Sequence, residues 1–253
     1  MLFPIGDDNR DRTMTPVVNY LLIAANVLVF VFLQGLGTNE TFTYSFSTVP
    51  QEIVSGRDVV TSSRSVEDPL SGDRFTLPGL QPTPVPVYLT LLTSMFMHGG
   101  LAHLFGNMMF LWIFGDNIEN ALGRRRYLIF YLLCGLLAGL SHVAATSFMQ
   151  GNMLIPSLGA SGAISGVLGG YLILFPQRRV KVLMLRTVTE VPAFMALGLW
   201  LLFQVVNGIG VLGAGSQAGG VAYAAHIGGF AVGVLLVKMF ATRRATIRTG
   251  VSY

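Results

Sequence analysis

The sequence predicts an all-α, polytopic membrane protein with six transmembrane helices. Hydrophobic residues make up 52% of the 253-residue chain and charged residues only 11%, whereas about a quarter of the residues in soluble domains are charged. A transmembrane helix needs about 20 consecutive apolar residues. Four long stretches contain no Lys, Arg, Asp or Glu, and they cover residues 13–39, 75–115, 127–177 and 191–237.

The lengths of these uncharged stretches place the predicted spans. The first two stretches each hold one helix, and the last two are each long enough for two helices joined by a short turn. The spans are predicted near residues 17–34, 98–115, 127–147, 158–175, 193–210 and 220–240. Residues 35–95 form a long loop after the first span, and its proline-rich end predicts irregular, packed structure. We predict one membrane domain over residues 1–253.

Basic residues predict the orientation, because cytoplasmic loops carry an excess of Lys and Arg. The long loop 35–95 holds only three of the 16 basic residues. This loop is therefore predicted to be extracytoplasmic and both termini cytoplasmic. The net charge of +4 follows from this topology, and nucleic-acid binding is not predicted. The other basic residues flank the predicted spans on the opposite side: Arg10, Arg12, Arg124, Arg125, Arg126, Arg178, Arg179, Lys181, Arg186, Lys238, Arg243, Arg244 and Arg248.

Three polar side chains are predicted to share one depth in the membrane. His103, Ser161 and His226 lie a few residues into the second, fourth and sixth spans, which all run from outside to inside. A rise of 1.5 Å per residue puts them roughly 5–10 Å below the outer surface. Ionisable residues inside spans are costly and often functional. Since a histidine beside a serine can activate its hydroxyl, Ser161 and His226 are candidate catalytic residues.

Small residues around this pair predict close contact between helices. Gly229 and Gly233 follow His226 by three and seven residues and share its helix face. Small residues at such spacing let two backbones approach, and Gly162 offers a partner surface beside Ser161. Taken alone, the segment GASGAISG at 159–166 is better explained by packing, and it does not fit the GxSxG hydrolase elbow. Ser165, one turn later, is the rival nucleophile.

His103 and Asn107 are four residues apart and project from one helix face. They are either a packing pair or two donors of an oxyanion hole, where a tetrahedral intermediate needs preorganised hydrogen bonds. A metal site of His98, His103 and His226 is disfavoured, because the sequence has no HExxH motif and no carboxylate at their depth. No metal or other cofactor is predicted.

These residues resemble the motifs of the rhomboid intramembrane serine proteases. The similarity rests on three segments in the family's order, and it covers about residues 15–240: HGGLAHLFGNMMFLWIFGDNIE at 98–119, GASGAISG at 159–166 and AHIGGFAVG at 225–233. The resemblance implies a six-helix rhomboid-like bundle. It also implies that Ser161 is the nucleophile and His226 the base, that Gly159, His103 and Asn107 lie on the oxyanion side, and that Glu119 closes the second helix.

The resemblance implies an endopeptidase that cleaves single-span membrane proteins in the lipid bilayer, near the extracytoplasmic face. Some members carry a tyrosine against the base four residues after the nucleophile, where this chain has Ser165, so the group that orients His226 is left open. The alternative is a non-catalytic relative that binds membrane clients, but such relatives lack the serine or the histidine. The fifth span and residues 211–219 are candidate gates. The N-terminal residues do not resemble a transit leader, which favours a bacterial cytoplasmic membrane.

Overall fold

The computed structural model describes residues 3–67, 74–184, 187–213 and 223–242, and this part of the chain is mostly helical, as predicted. A π-helical turn at Val29–Leu33 extends the first helix. In chain order the α-helices are α1 (Val17–Leu28), α2 (Glu40–Ser45), α3 (Pro50–Ser55), α4 (Thr90–Thr93), α5 (Leu101–Leu122), α6 (Arg124–Phe148), α7 (Ser161–Leu174), α8 (Ala193–Gly213) and α9 (Tyr223–Phe240).

Six of these helices coincide with the predicted spans, although their ends differ. The largest difference is in α5, which continues to Leu122, two turns beyond the predicted end. Within the described residues, two helices, α6 and α9, are long and apolar enough to cross a membrane, with mean hydropathies of 2.0 and 1.6. The shorter apolar helices include α1 with its π-helical turn, α7 and α8.

Some sequence-based expectations concern residues outside the described ranges. The predicted gate beyond Gly213 and the first three residues of the sixth predicted span belong to this group. So do four of the basic residues that were used to predict the orientation, namely Arg186, Arg243, Arg244 and Arg248.

The described residues also include five strands, which the sequence did not predict: β1 (Phe3–Asp7), β2 (Arg64–Glu67), β3 (Arg74–Leu77), β4 (Arg179–Met184) and β5 (Thr187–Pro192). β1, β4 and β5 form an antiparallel sheet with β4 in the centre, and β2 and β3 form an antiparallel hairpin. Val180 and Val182 of β4 are buried, and this alternation is typical of a strand. The charges of this segment had indicated only a cytoplasmic loop.

The long loop between α1 and α5 is more ordered than predicted, since it contains α2, α3, the β2–β3 hairpin and α4. It is bonded to the segment that leads into α7. Thr48 and Ser157 exchange two backbone hydrogen bonds of 2.8 and 3.0 Å, and the Gly159 N–H donates to the Ser94 carbonyl at 2.8 Å. The Thr48 and Ser94 hydroxyls are also 2.9 Å apart. These bonds fix the backbone immediately before Ser161.

Buried polar groups attach the start of α1 to α5 and α6. The Glu119 carboxylate accepts hydrogen bonds from the backbone N–H groups of Val18 and Asn19, at 3.1 and 2.7 Å. These are among the N–H groups that a helix leaves without internal partners at its first turn. The Tyr127 hydroxyl donates to the Asn19 side-chain oxygen at 2.7 Å. Glu119 therefore acts as the cap of α1.

The sheet is joined to the helices through Asp7, the last residue of β1. Its Oδ2 atom accepts hydrogen bonds from the Tyr171 hydroxyl at 2.5 Å and from the Asn117 amide at 2.8 Å. Its Oδ1 atom is buried and has no hydrogen-bond partner in the described part of the chain. Burial raises the pKa of Asp7 from 3.8 to about 7; Asp116 also raises it, while the Tyr171 hydroxyl and Arg178 lower it.

Candidate active site

Ser161 is the first residue of α7. The first N–H groups of a helix lack internal partners and point towards its N-terminal end. Two residues earlier, Gly159 has φ of +127°, a conformation that favours glycine. The chain therefore turns sharply at Gly159 and presents the Ser161 hydroxyl at the N-terminal end of a helix.

His226 of α9 contacts this serine directly. Its Nε2 atom lies 2.7 Å from the Ser161 Oγ atom. A proton can pass between a nucleophile and its base at this separation. The two residues are distant in the sequence, and the structure brings them together as the nucleophile–base arrangement requires.

Glycine contacts between α7 and α9 allow this approach. A Cβ atom at Gly229 would lie 2.2 Å from the Gly162 carbonyl oxygen, and one at Gly233 would lie 1.9 Å from that of Gly166. Carbon–oxygen contacts between helices are normally about 3.3 Å or longer. At these positions the two backbones touch, and any side chain would force them apart.

His103 of α5 lies beside Gly159 and Ser161. The backbone N–H of Gly99 donates to the His103 Nδ1 atom at 3.2 Å, so the neutral ring carries its hydrogen on Nε2. A Cβ atom at Gly159 would be 3.0 Å from this Nε2 atom and 3.6 Å from the Ser161 Oγ atom. The absence of that Cβ atom leaves room between an N–H donor and the serine hydroxyl.

Asn107 follows His103 by one turn of α5, and the residue is 7% exposed. Its Nδ2 atom is buried and has no hydrogen-bond partner among the described residues. Leaving a buried donor unpaired is costly. His98 precedes α5, is fully buried, and its ring is 5.2 Å from the His103 ring, centroid to centroid. The oxyanion-side residues predicted from the sequence thus contribute two donor groups, the His103 Nε2–H and the buried Asn107 Nδ2.

Ser165, the rival nucleophile, is bonded within its own helix. Its hydroxyl donates to the Ser161 carbonyl at 2.6 Å, and the side chain is buried.

A cavity of about 30 Å³ adjoins Ser161 and is also lined by His142, Ser94 and Ser157. One or two water molecules require about this much space.

Sequence reasoning missed Gln204 of α8. Its Oε1 atom lies 2.8 Å from the His226 Nδ1 atom, and the side chain is 6% exposed. Trp200, one turn earlier on the same helix, lies 6.2 Å from His226 between ring centroids. A buried amide in an apolar span was the available signal, because polar groups at membrane depth are usually functional.

Residues 86–243, which are more than half of the chain, match the family described as the Rhomboid domain. The chain belongs to the rhomboid family. This rhomboid protein is 33% identical over 156 residues to Rhomboid protein 1, mitochondrial, of Saccharomyces cerevisiae, covering 62% of this chain and 43% of that protein. It is 27% identical over 195 residues to Rhomboid protease GluP of Bacillus subtilis, covering 76% of this chain and 31% of that protein.

A third relative is the human Presenilin-associated rhomboid-like protein, mitochondrial, which is 31% identical over 153 residues, covering 58% of this chain and 36% of that protein. This rhomboid protein spans 31% to 43% of the length of these three relatives. The matches establish membership of a membrane protein family that includes a protease, the Bacillus subtilis relative.

Proposed function

We propose that this rhomboid protein is an intramembrane serine endopeptidase with Ser161 as nucleophile and His226 as base. The observation that carries the proposal is the 2.7 Å contact between the His226 Nε2 and Ser161 Oγ atoms. The contact lies at the N-terminal end of α7, beside the N–H donor of His103. A nucleophile, a base and preorganised donors around one point are what acyl transfer requires.

The reaction follows from these positions. The His226 Nε2 atom takes the proton of the Ser161 hydroxyl as its oxygen attacks the peptide carbonyl. The oxyanion that forms accepts hydrogen bonds from the His103 Nε2–H, the Asn107 amide and the Ser161 N–H, in the space that Gly159 leaves open. His226 then protonates the leaving amine. Water, deprotonated by His226, attacks the acyl group and releases it from Ser161.

We also propose that α1, α5, α6, α7, α8 and α9 cross the bilayer, with the long loop extracytoplasmic and both termini cytoplasmic. Large apolar side chains on the outer surface support this topology, since Phe105 is 67%, Leu235 72% and Met239 76% exposed. Apolar surface of this kind is stable against lipid tails. The candidate site then lies towards the extracytoplasmic face.

The proposed substrates are single-span membrane proteins. A transmembrane helix keeps its carbonyl groups in internal hydrogen bonds, so the substrate must unwind near the extracytoplasmic face before Ser161 can attack. The bacterial cytoplasmic membrane stays a prediction, because the relatives above are named from mitochondria as well as from a bacterium.

The test combines a fluorophosphonate probe with a cleavable substrate. Purified wild type, Ser161→Ala, His226→Ala and Ser165→Ala are labelled in detergent and then given a single-span reporter in liposomes. We expect Ser161→Ala and His226→Ala to lose labelling and cleavage, and Ser165→Ala to keep both. A folded wild type that neither labels nor cleaves, in detergent or in bilayers, would overturn the proposal and favour the non-catalytic, client-binding alternative.

A further inference from the structure

We infer that Gln204 is a positioning residue, which holds the His226 ring in the one neutral tautomer that can accept the Ser161 proton. The inference rests on the proposed function, because it concerns the base of that reaction. It answers the question left open when Ser165 was found in place of an orienting tyrosine.

The hydrogen-bond chemistry of the three groups determines the tautomer. An amide oxygen can only accept a hydrogen bond, so the Nδ1 atom that lies 2.8 Å from the Gln204 Oε1 atom carries the hydrogen. The neutral ring then has its lone pair on Nε2, which lies 2.7 Å from the Ser161 hydroxyl. In the other tautomer the Gln204 amide would have to turn over and donate from Nε2 to the His226 Nδ1 atom, and the His226 Nε2 atom could not take a proton.

The surroundings of the ring leave this role to Gln204. Among the described residues, the side-chain hydrogen bonds of the His226 ring are those with Gln204 and Ser161. In Ser–His–Asp enzymes a buried carboxylate occupies the position behind the histidine, where it fixes the tautomer and also stabilises the imidazolium. An amide supplies the first effect without placing a second charge in an apolar site, where an unpaired carboxylate would be costly.

The geometry of α8 supports the assignment. Trp200 and Gln204 are one turn apart and share a helix face. The Trp200 ring is a tilted neighbour of His226, 6.2 Å away between ring centroids with an interplanar angle of 35°, while Gln204 bonds the His226 Nδ1 atom. Gln204 is 6% exposed, so water cannot easily replace its oxygen. One face of α8 therefore supplies both an aromatic neighbour and the hydrogen-bond partner of the base.

The same helix offers a matched control. Asn207 is also an amide and is half-buried, but its Nδ2 atom donates to the Phe203 carbonyl of its own helix at 2.7 Å. Gln204→Met and Asn207→Leu each replace an amide by an apolar group of similar size. Gln204→Glu keeps an acceptor at Nδ1 and adds a charge that stabilises the imidazolium.

The measurements are the fluorophosphonate labelling rate, kcat and KM for the reporter, and the pH dependence of kcat. We expect Gln204→Met to lower kcat and the labelling rate about 10- to 100-fold, the range for one lost hydrogen bond in a buried site, with KM within about twofold. Asn207→Leu should keep the wild-type values. Gln204→Glu should restore most of the rate and move the acidic limb of the pH profile to higher pH, because a carboxylate favours the protonated ring.

Three results would overturn the inference: a wild-type rate in Gln204→Met, an equal loss in Asn207→Leu, or a folded Gln204→Glu whose acidic limb has not moved. If Gln204→Met does not fold, Gln204→Glu decides, since its carboxylate shifts the acidic limb only when it lies within about 4–6 Å of the His226 ring. An inactive wild type would contradict the proposed function itself, and is thereby distinguished from a failure of Gln204 alone.

Discussion

The glycine contact between α7 and α9 predicts the effect of Gly229→Ala. The added Cβ atom would lie 2.2 Å from the Gly162 carbonyl oxygen, whereas such contacts require about 3.3 Å. The helices must therefore move apart locally by about 1 Å. Gly229 is one turn from His226, and Gly162 follows Ser161, so the same displacement lengthens the 2.7 Å contact between Nε2 and Oγ to about 3.8 Å, beyond hydrogen-bonding range.

A misplacement of 1 Å between reacting groups costs about 100-fold in rate, and overpacking costs about 1–3 kcal/mol of stability. We expect Gly229→Ala to lower the fluorophosphonate labelling rate by about 100-fold and to lower the thermal unfolding midpoint in detergent. Labelling and unfolding are measured on the same purified samples, at a temperature where circular dichroism shows the variant to be folded.

Gly198→Ala is the matched control for Gly229→Ala. Gly198 is also a helical glycine, but a Cβ atom there would meet nothing within 4 Å. Alanine in a helix is more stable than glycine by about 0.5–1 kcal/mol, so this variant should label like wild type and unfold at the same or a higher temperature. A wild-type labelling rate in folded Gly229→Ala would refute the argument that backbone contact brings His226 to Ser161.

Three further substitutions test other parts of the structure. Gly159→Ala should lower kcat for the reporter about 100- to 1,000-fold, because its Cβ atom would lie 2.9 Å from the His103 Cε1 atom and fill the proposed oxyanion space. Glu119→Ala should lower the free energy of unfolding by about 1–2 kcal/mol, since two N–H groups at the start of α1 lose their acceptor. Asp7→Asn should flatten the pH dependence of the unfolding midpoint between pH 3.8 and about 7. The folded state raises the pKa of Asp7, so its contribution to stability is full below pH 3.8 and is lost as the pH rises through about 7; the variant should be the more stable protein at pH 8.

Each of these substitutions has a result that would contradict its premise. For Gly159→Ala it is an unchanged kcat, judged against Gly106→Ala on α5, where a Cβ atom would meet nothing within 4 Å. For Glu119→Ala it is an unfolding midpoint equal to that of wild type. For Asp7→Asn it is an unfolding curve that changes with pH in parallel with that of wild type.

The sequence was sufficient to predict the positions of the long helices, because these depend on local runs of uncharged residues. It was also sufficient to single out Ser161 and His226, since equal depth and glycine spacing can be read from two separate segments. The pairing of β1 with β4 joins residues near the N-terminus to residues after α7, and no local pattern specifies such a partner. The contact of Gln204 with His226 depends on how α8 is rotated about its axis, and the apolar residues around Gln204 do not specify that rotation.

The connection between the sheet and α8 has a mechanical consequence. α8 follows β5 without a break, and the Ala193 N–H donates to the Arg178 carbonyl at 2.9 Å, so this end of the helix is attached to the residue before β4. Gln204 lies about 16 Å along the helix from that attachment. With a lever arm of this length, a tilt of about 10° carries Gln204 sideways by about 3 Å and breaks its bond to His226. A tilt of α8 that widens the bundle therefore also removes the hydrogen-bond partner of the His226 Nδ1 atom, and the reverse tilt restores it.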